Sequence, residues 1–171
     1  MAVPDPLHPL RVNALELLRQ PGTERAISVT VEAEDLAVDH PLLRGDIAVE
    51  YRLEALTDGI VVSGTTALSW AGECRRCLEP VEGTDRVEID EFYQIEVTDE
   101  DAFPIENKQL DLAPMTRQIV LLALDDERLC DADCAGLCPV CGDHRNEGEC
   151  GCDTTVRDDR WAALDELQLD D

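Results

Sequence analysis

The chain has 171 residues, 44% of them apolar, so it can bury a core, but only 4% are aromatic and that core has to come from Val, Leu, Ile and Ala. It carries 39 acidic and 14 basic residues, a formal charge of −25, and Lys108 is its single lysine. That balance argues against a broad nucleic-acid face, which needs Lys and Arg to displace counterions from phosphate; it suits a basic partner and plain solubility about equally.

Pro4, Pro6 and Pro9 keep the start of the chain extended. Residues 1–20 hold no apolar stretch of the kind a secretory leader carries, so no export is expected, and no run is long enough to cross a membrane as a helix. Residues 13–20 (NALELLRQ) predict a short helix capped by Asn13 and stopped at Pro21-Gly22, and residues 25–31 a strand. Residues 46–56 and 59–70 alternate polar and apolar with period two around an Asp58-Gly59 turn signal, which predicts an antiparallel hairpin leading into Cys74-Arg75-Arg76-Cys77. Residues 86–97 alternate again and should return along the sheet, leaving the first cysteine pair at a turn between strands. An acidic loop follows at 98–101. A helix is expected over 112–124, with Asp111 as cap, Pro114 in the first turn, and Leu112, Met115, Ile119 and Leu122 as the stripe that meets the sheet. Periodicity then stops. Six cysteines fall between Cys130 and Cys152 among Gly136, Pro139, Gly142, Gly148 and Gly151, a composition that cannot build its own apolar core. Trp161, Leu164 and Leu167 suggest a last helix over 158–168.

Without export the eight thiols should stay reduced, and their spacing reads as metal binding. The pairs are Cys74-x2-Cys77, Cys130-x3-Cys134, Cys138-x2-Cys141 and Cys150-x-Cys152. Structural zinc takes four thiolates or imidazoles in a tetrahedron, so eight cysteines allow two closed sites. One partition joins Cys138, Cys141, Cys150 and Cys152 locally and uses Cys74, Cys77, Cys130 and Cys134 to tie the hairpin to the end of the helix. Another places Cys130, Cys134, Cys138 and Cys141 on one ion and leaves Cys150 and Cys152 to reach Cys74 and Cys77 or stay free; His144 could replace a late cysteine. Other chemistries fit less well. A redox pair at Cys74 and Cys77 would need a following helix, which Leu78-Glu79-Pro80 does not start. An iron–sulfur cluster would also use four cysteines. A catalytic zinc would keep an open position beside a base. His8, His40 and His144 form no nucleophile–base pattern, and no phosphate-binding glycine loop is present. Arg75 and Arg76, inside the first knuckle, are either a small contact for RNA phosphate or an acidic patch, or simply offset the thiolate charge beside them.

Cys74-Arg75-Arg76-Cys77-Leu78-Glu79-Pro80 resembles the C-x-R-C-L-x-P motif of the YceD family, the large ribosomal RNA subunit accumulation proteins. Asp111-Leu112 with residues 119–124 resembles that family's helix, and residues 13–22 its L-L-x-x-P-G segment. Residues 130–142 (CDADCAGLCPVCG) resemble its C-x-x-D-C-x-G-L-C-P-x-C-G signature, whereas the N-L-N that usually follows appears here as Asp143-His144-Arg145-Asn146. The resemblance implies a bacterial or plastid protein required for accumulation of 23S ribosomal RNA, with no established enzymatic activity. It also implies a gene often found beside that of a small basic protein of the large subunit.

The expectation is therefore an α+β fold: a mostly antiparallel β-sheet packed by a helix, with a cysteine-rich zinc-ribbon-like module and a short C-terminal helix. Residues 1–24 form an N-terminal extended segment and short helix, 25–128 the sheet-and-helix body, and 129–171 the zinc module. The expected function is non-catalytic, cytoplasmic large-subunit biogenesis with two zinc ions. The partner would be a large-subunit ribosomal protein or 23S rRNA precursor, with no membrane and no small-molecule substrate. The alternative is a zinc-linked redox-sensing regulator.

Overall fold

The computed structural model describes residues 5–98, 102–125, 127–155 and 160. A 3-10 turn at His8–Leu10 leads into strand β1 (Arg11–Asn13) and helix α1 (Ala14–Leu18). Asn13 caps α1 as expected: its side chain accepts the Glu16 N–H at 3.4 Å. Four long or medium strands follow, β2 (Glu24–Val31), β3 (Leu43–Ala55), β4 (Gly59–Glu73) and β5 (Pro80–Gln94), then the short β6 (Phe103–Pro104) and β7 (Gln109–Asp111), and helix α2 (Ala113–Ala123).

β2 to β6 form one five-stranded sheet in sequence order, antiparallel except for the two-residue parallel pairing of β6 with β5. β1 and β7 make a separate two-stranded antiparallel sheet. The period-two pattern acts as predicted. In β3 it buries Ile47, Val49, Tyr51, Leu53 and Ala55 and exposes Ala48, Glu50, Arg52 and Glu54. The β4–β5 ladder runs unbroken from Gly59 opposite Gln94 to Glu73 opposite Pro80, so the first cysteine pair sits in the turn at its end. The fold is thus α+β with a cysteine-rich module after α2. The last helix, expected over 158–168, lies outside the described residues, Arg160 apart.

Both helices cover one face of the sheet, where a single apolar cluster joins β2 to β5 with α2. The N-terminal segment adds Leu10, Val12, Ala14 and Leu17 to the same cluster. One detail differs from the expected pattern. α2 buries Ala113, Met115, Thr116 and Val120, with Leu112 before it and Leu124 after it. Ile119 is only partly buried and Leu122 is 73% exposed. The reason is a polar contact that a hydrophobic stripe cannot show. Tyr51 Oη lies 2.5 Å from Thr66 Oγ1 and 3.0 Å from Thr116 Oγ1, and the Thr116 hydroxyl also donates to the Leu112 carbonyl. Thr66 and Thr116 are fully buried. This network turns α2 so that Thr116 faces inward, which carries Leu122 out. Asp111 serves as the expected polar start, accepting the Ala113 N–H at 3.0 Å, although Leu112 occupies the cap position itself.

Burial raises the Tyr51 phenol above its ordinary pKa, with the two threonine hydroxyls pulling against it. Removing the phenol oxygen takes a partner from two buried hydroxyls, of which Thr116 keeps the Leu112 carbonyl and Thr66 does not have that recourse. Tyr51→Phe is therefore expected to lower stability by about 1–3 kcal/mol with an unchanged denaturant slope, read from urea unfolding.

Candidate metal centres

Two knuckles of the same build carry four of the cysteines. In the β4–β5 turn the Cys74 N–H donates to the Glu79 carbonyl at 2.8 Å and the Leu78 N–H to the Cys74 carbonyl at 2.8 Å. In the later knuckle the Cys138 N–H donates to Asp143 at 2.8 Å and the Gly142 N–H to Cys138 at 2.9 Å. Each turn needs a left-handed residue just after its second cysteine. Gly142 takes that place at φ +80°, and Leu78 takes it in the first knuckle at φ +64° despite its Cβ.

The eight sulfurs gather in two sets, Cys74, Cys77, Cys130 and Cys134, and Cys138, Cys141, Cys150 and Cys152, each with its Sγ atoms within 4.8 Å of one another. This is the first of the two partitions the spacing allows; Cys150 and Cys152 do not reach the first knuckle. None of the eight is disulfide-bonded. In the first set, Cys77 and Cys130 sulfurs are 3.5 Å apart and Cys74 and Cys134 sulfurs 3.8 Å. Four thiolates on a tetrahedral zinc at about 2.3 Å sit about 3.8 Å from one another, so these gaps match an S4 site and are far too long for a disulfide. Cys74, Cys77 and Cys134 are buried and Cys130 exposed; in the second set only Cys138 is buried.

Electrostatics point the same way. Burial opposes ionisation of Cys74, yet backbone N–H groups of Cys130, Cys77 and Arg76 bring it down to about 6. The N–H groups of Cys141 and Val140 bring Cys138 down to about 6. Proximity works the other way at Cys130 and Cys141: neighbouring thiols, Cys134 and Cys77 first, push Cys130 up to about 12. At Cys141 the Asp143 N–H pulls down, but burial and the thiols of Cys138, Cys150 and Cys152 carry it to about 12. Each set thus mixes thiols that ionise readily with thiols that resist, and cannot ionise fully unless a cation sits among the sulfurs. Both sets consist of cysteine alone, so either could hold a metal ion with no ligand position left open and no base among the ligands.

Arginine and asparagine side chains, which the spacing of cysteines does not reveal, position the first set. Arg76 turns inward and donates to the carbonyls of Ala132 at 3.1 Å and Cys134 at 2.9 Å, while its own carbonyl accepts the Leu137 N–H. Arg75 pairs with Glu127, and its N–H donates to the Arg128 carbonyl. Arg128 joins module to body. Its guanidinium donates to Asp85 on β5 and to the Ala123 carbonyl, each at 2.6 Å, and lies 4.1 Å from the Trp70 ring centroid on β4. Asn146 donates to the Cys134 sulfur at 3.3 Å. His144 belongs to neither sulfur set: it pairs with Leu137 in an antiparallel bridge, and its ring nitrogens are buried without a hydrogen-bond partner among the described residues. His40 accepts the Leu42 N–H far from both sets in the chain, and His8 lies in the N-terminal 3-10 turn.

Comparison with known proteins matches residues 62–168, more than half the chain, to the family described as large ribosomal RNA subunit accumulation protein YceD. An uncharacterized protein of Mycobacterium tuberculosis is 32% identical, over 93% of this chain and 81% of its own length. One of Mycobacterium leprae is 26% identical, over 80% and 67%. The chloroplastic large ribosomal RNA subunit accumulation protein YCED homolog 1 of Arabidopsis thaliana is 32% identical over 39% of this chain and 21% of its own length. No solved structure matches.

Two of the module's positive-φ glycines, Gly136 and Gly142, are constrained differently. A Cβ at Gly142 would meet nothing within 4 Å, so Gly142→Ala should cost only the backbone term, about 1–2 kcal/mol. At Gly136, φ +72°, a Cβ would lie 2.9 Å from the Arg76 carbonyl oxygen, so Gly136→Ala should cost more than Gly142→Ala. Leu78→Gly should be close to neutral, relief of the backbone strain offsetting the greater freedom of the unfolded chain. Denaturant unfolding of the reduced protein ranks the three.

Proposed function

Because the chain belongs to the YceD family, the large ribosomal RNA subunit accumulation proteins, we propose that it is a non-catalytic factor of large ribosomal subunit assembly that supports accumulation of 23S rRNA. The observation that carries this reading is the family match, which spans β5, α2 and both cysteine sets. Within it, Cys74, Cys77, Cys130 and Cys134 hold one zinc ion and Cys138, Cys141, Cys150 and Cys152 a second. Both ions are structural, since each set offers four sulfurs and no open position. Residues 129–171 are a metal-dependent module set on the body of 25–128, with 1–24 as its N-terminal segment.

The direct partner in this reading is a basic large-subunit ribosomal protein. The face of the sheet turned away from the helices supports it. It carries Glu24, Glu50, Glu54, Glu73, Glu82, Glu88 and Asp90 against Arg44, Arg52 and Arg86; Arg52 and Arg86 already pair with Glu24 and Glu50, and Arg44 donates to the carbonyls of Pro41 and Leu43. Such a face repels phosphate and attracts cationic protein. Contact with precursor rRNA is limited to the first knuckle. There Arg75 is half exposed beside Glu127, whereas Arg76 is occupied by the carbonyls of Ala132 and Cys134. Reduced thiols suit the cytoplasm, and among the described residues no helix is long and apolar enough to cross a membrane.

The test is elemental analysis of the natively purified chain together with identification of what co-purifies. About two zinc per chain with large-subunit precursors, and release of one basic ribosomal protein as salt is raised, is the expected result. Zinc-free protein, or small-subunit particles only, would overturn the reading. Structural zinc supplies roughly 10–16 kcal/mol of apparent binding energy, comparable to a whole domain's stability. Stripping it should therefore collapse hydrogen-exchange protection across 130–152 while β3 and β4 stay protected.

A further inference from the structure

Residues 135–146 form a small hairpin whose tip and open end belong to different sulfur sets. Its tip is the Cys138–Cys141 knuckle of the second set. Its arms are tied by Cys138 N–H to the Asp143 carbonyl, by the Leu137–His144 bridge and by Arg145 N–H to the Gly136 carbonyl at 2.9 Å. The open end brings Asn146 against Cys134 of the first set. The Asn146 carboxamide accepts the Ala135 N–H at 2.6 Å and donates to the Cys134 sulfur at 3.3 Å. Asn146 lies between Cys141 and Cys150, inside the loop that closure of the second set fixes.

We infer that the two centres are not independent: metal in the second centre holds Asn146 on the Cys134 thiolate and so tightens metal in the first, with Asn146 as the positioning residue that carries the coupling. This rests on the proposed reading that both sets bind metal. Closure of Cys138, Cys141, Cys150 and Cys152 restrains the chain on either side of Asn146. A free loop would have to give up backbone freedom to place the carboxamide, whereas a closed loop has done so already. An N–H donor to a coordinated thiolate stabilises its charge, and loss of an outer partner of this kind typically costs 10–100-fold in metal affinity. Because coupling is reciprocal, the first centre should also favour loading of the second.

The experiment is zinc titration of the reduced full-length apo-protein against a competing chelator, with cobalt substitution to report thiolate coordination at each centre. Three variants are compared with the parent: Asn146→Ala, Cys150→Ser/Cys152→Ser, and the combination. The parent should load both ions cooperatively. Asn146→Ala, which keeps all eight sulfurs, should weaken the first centre by about tenfold or more. Cys150→Ser/Cys152→Ser should weaken it similarly, and the combination should add little. First-centre affinity unchanged in Asn146→Ala, or losses that multiply in the combination, would overturn the coupling and leave both metal sites standing. A parent chain that binds no metal would overturn the underlying reading and the coupling together. Circular dichroism of the sheet, run in parallel, separates these outcomes from failure to fold.

Discussion

Among the described residues, sulfur supplies the core of the segment that follows α2. The second buried cluster of the protein is Cys74, Cys77 and Cys134, with Val81, Leu129 and Leu137 packed around it. Residues 127–155 contain no helix or strand of their own beyond a single bridge, and their apolar side chains are few. Burial of so little surface cannot offset the entropy of ordering nearly thirty residues at about 1–2 kcal/mol each. The four thiols brought within 4.8 Å resist joint ionisation as well, so without a cation the arrangement is short of cohesion on two counts. Everything the module does for shape depends on how that shortfall is met.

The body solves a different problem by ordinary means. Its long antiparallel strands bury one face under α2 and leave the other to water, and the buried Tyr51–Thr66–Thr116 contacts set the rotation of the helix. Arg128 is where the two solutions meet. One side chain engages β5 through Asp85, β4 through the Trp70 ring and the end of α2 through Ala123, while its backbone carbonyl holds Arg75 of the first knuckle. The module is thereby given a fixed seat, and Arg76 draws the chain around Cys134 onto the same turn.

Much of this was readable from residues alone, because the decisive patterns are local. Alternation over 46–56 and 59–70 identifies strands whose faces the structure keeps, and Asn13 announces a cap that forms. The knuckles are legible since a two-residue spacer and a following glycine or its stand-in specify a turn. What local pattern could not reveal is long-range and polar. Thr116 looks like a surface residue until Tyr51, distant in sequence, is placed over it. Arg76 reads as an exposed cation because nothing nearby in the chain says that the carbonyls of Ala132 and Cys134 will surround it. Asn146 carries no metal-ligand signature, and only its position against Cys134 gives it a part.

The placement of the first knuckle at the β4–β5 turn also bears on the order of events during synthesis. That hairpin is local and can form as soon as β5 leaves the ribosome, whereas Cys77 must wait 53 residues for Cys130, and Cys74 must wait 60 for Cys134. The nascent protein therefore stands for a time with its long hairpin formed and half a sulfur tetrad, its two thiols not yet enclosed. Completion is a late, long-range closure, and the interval before it is when the chain is most exposed to capture by the wrong metal or by an oxidant.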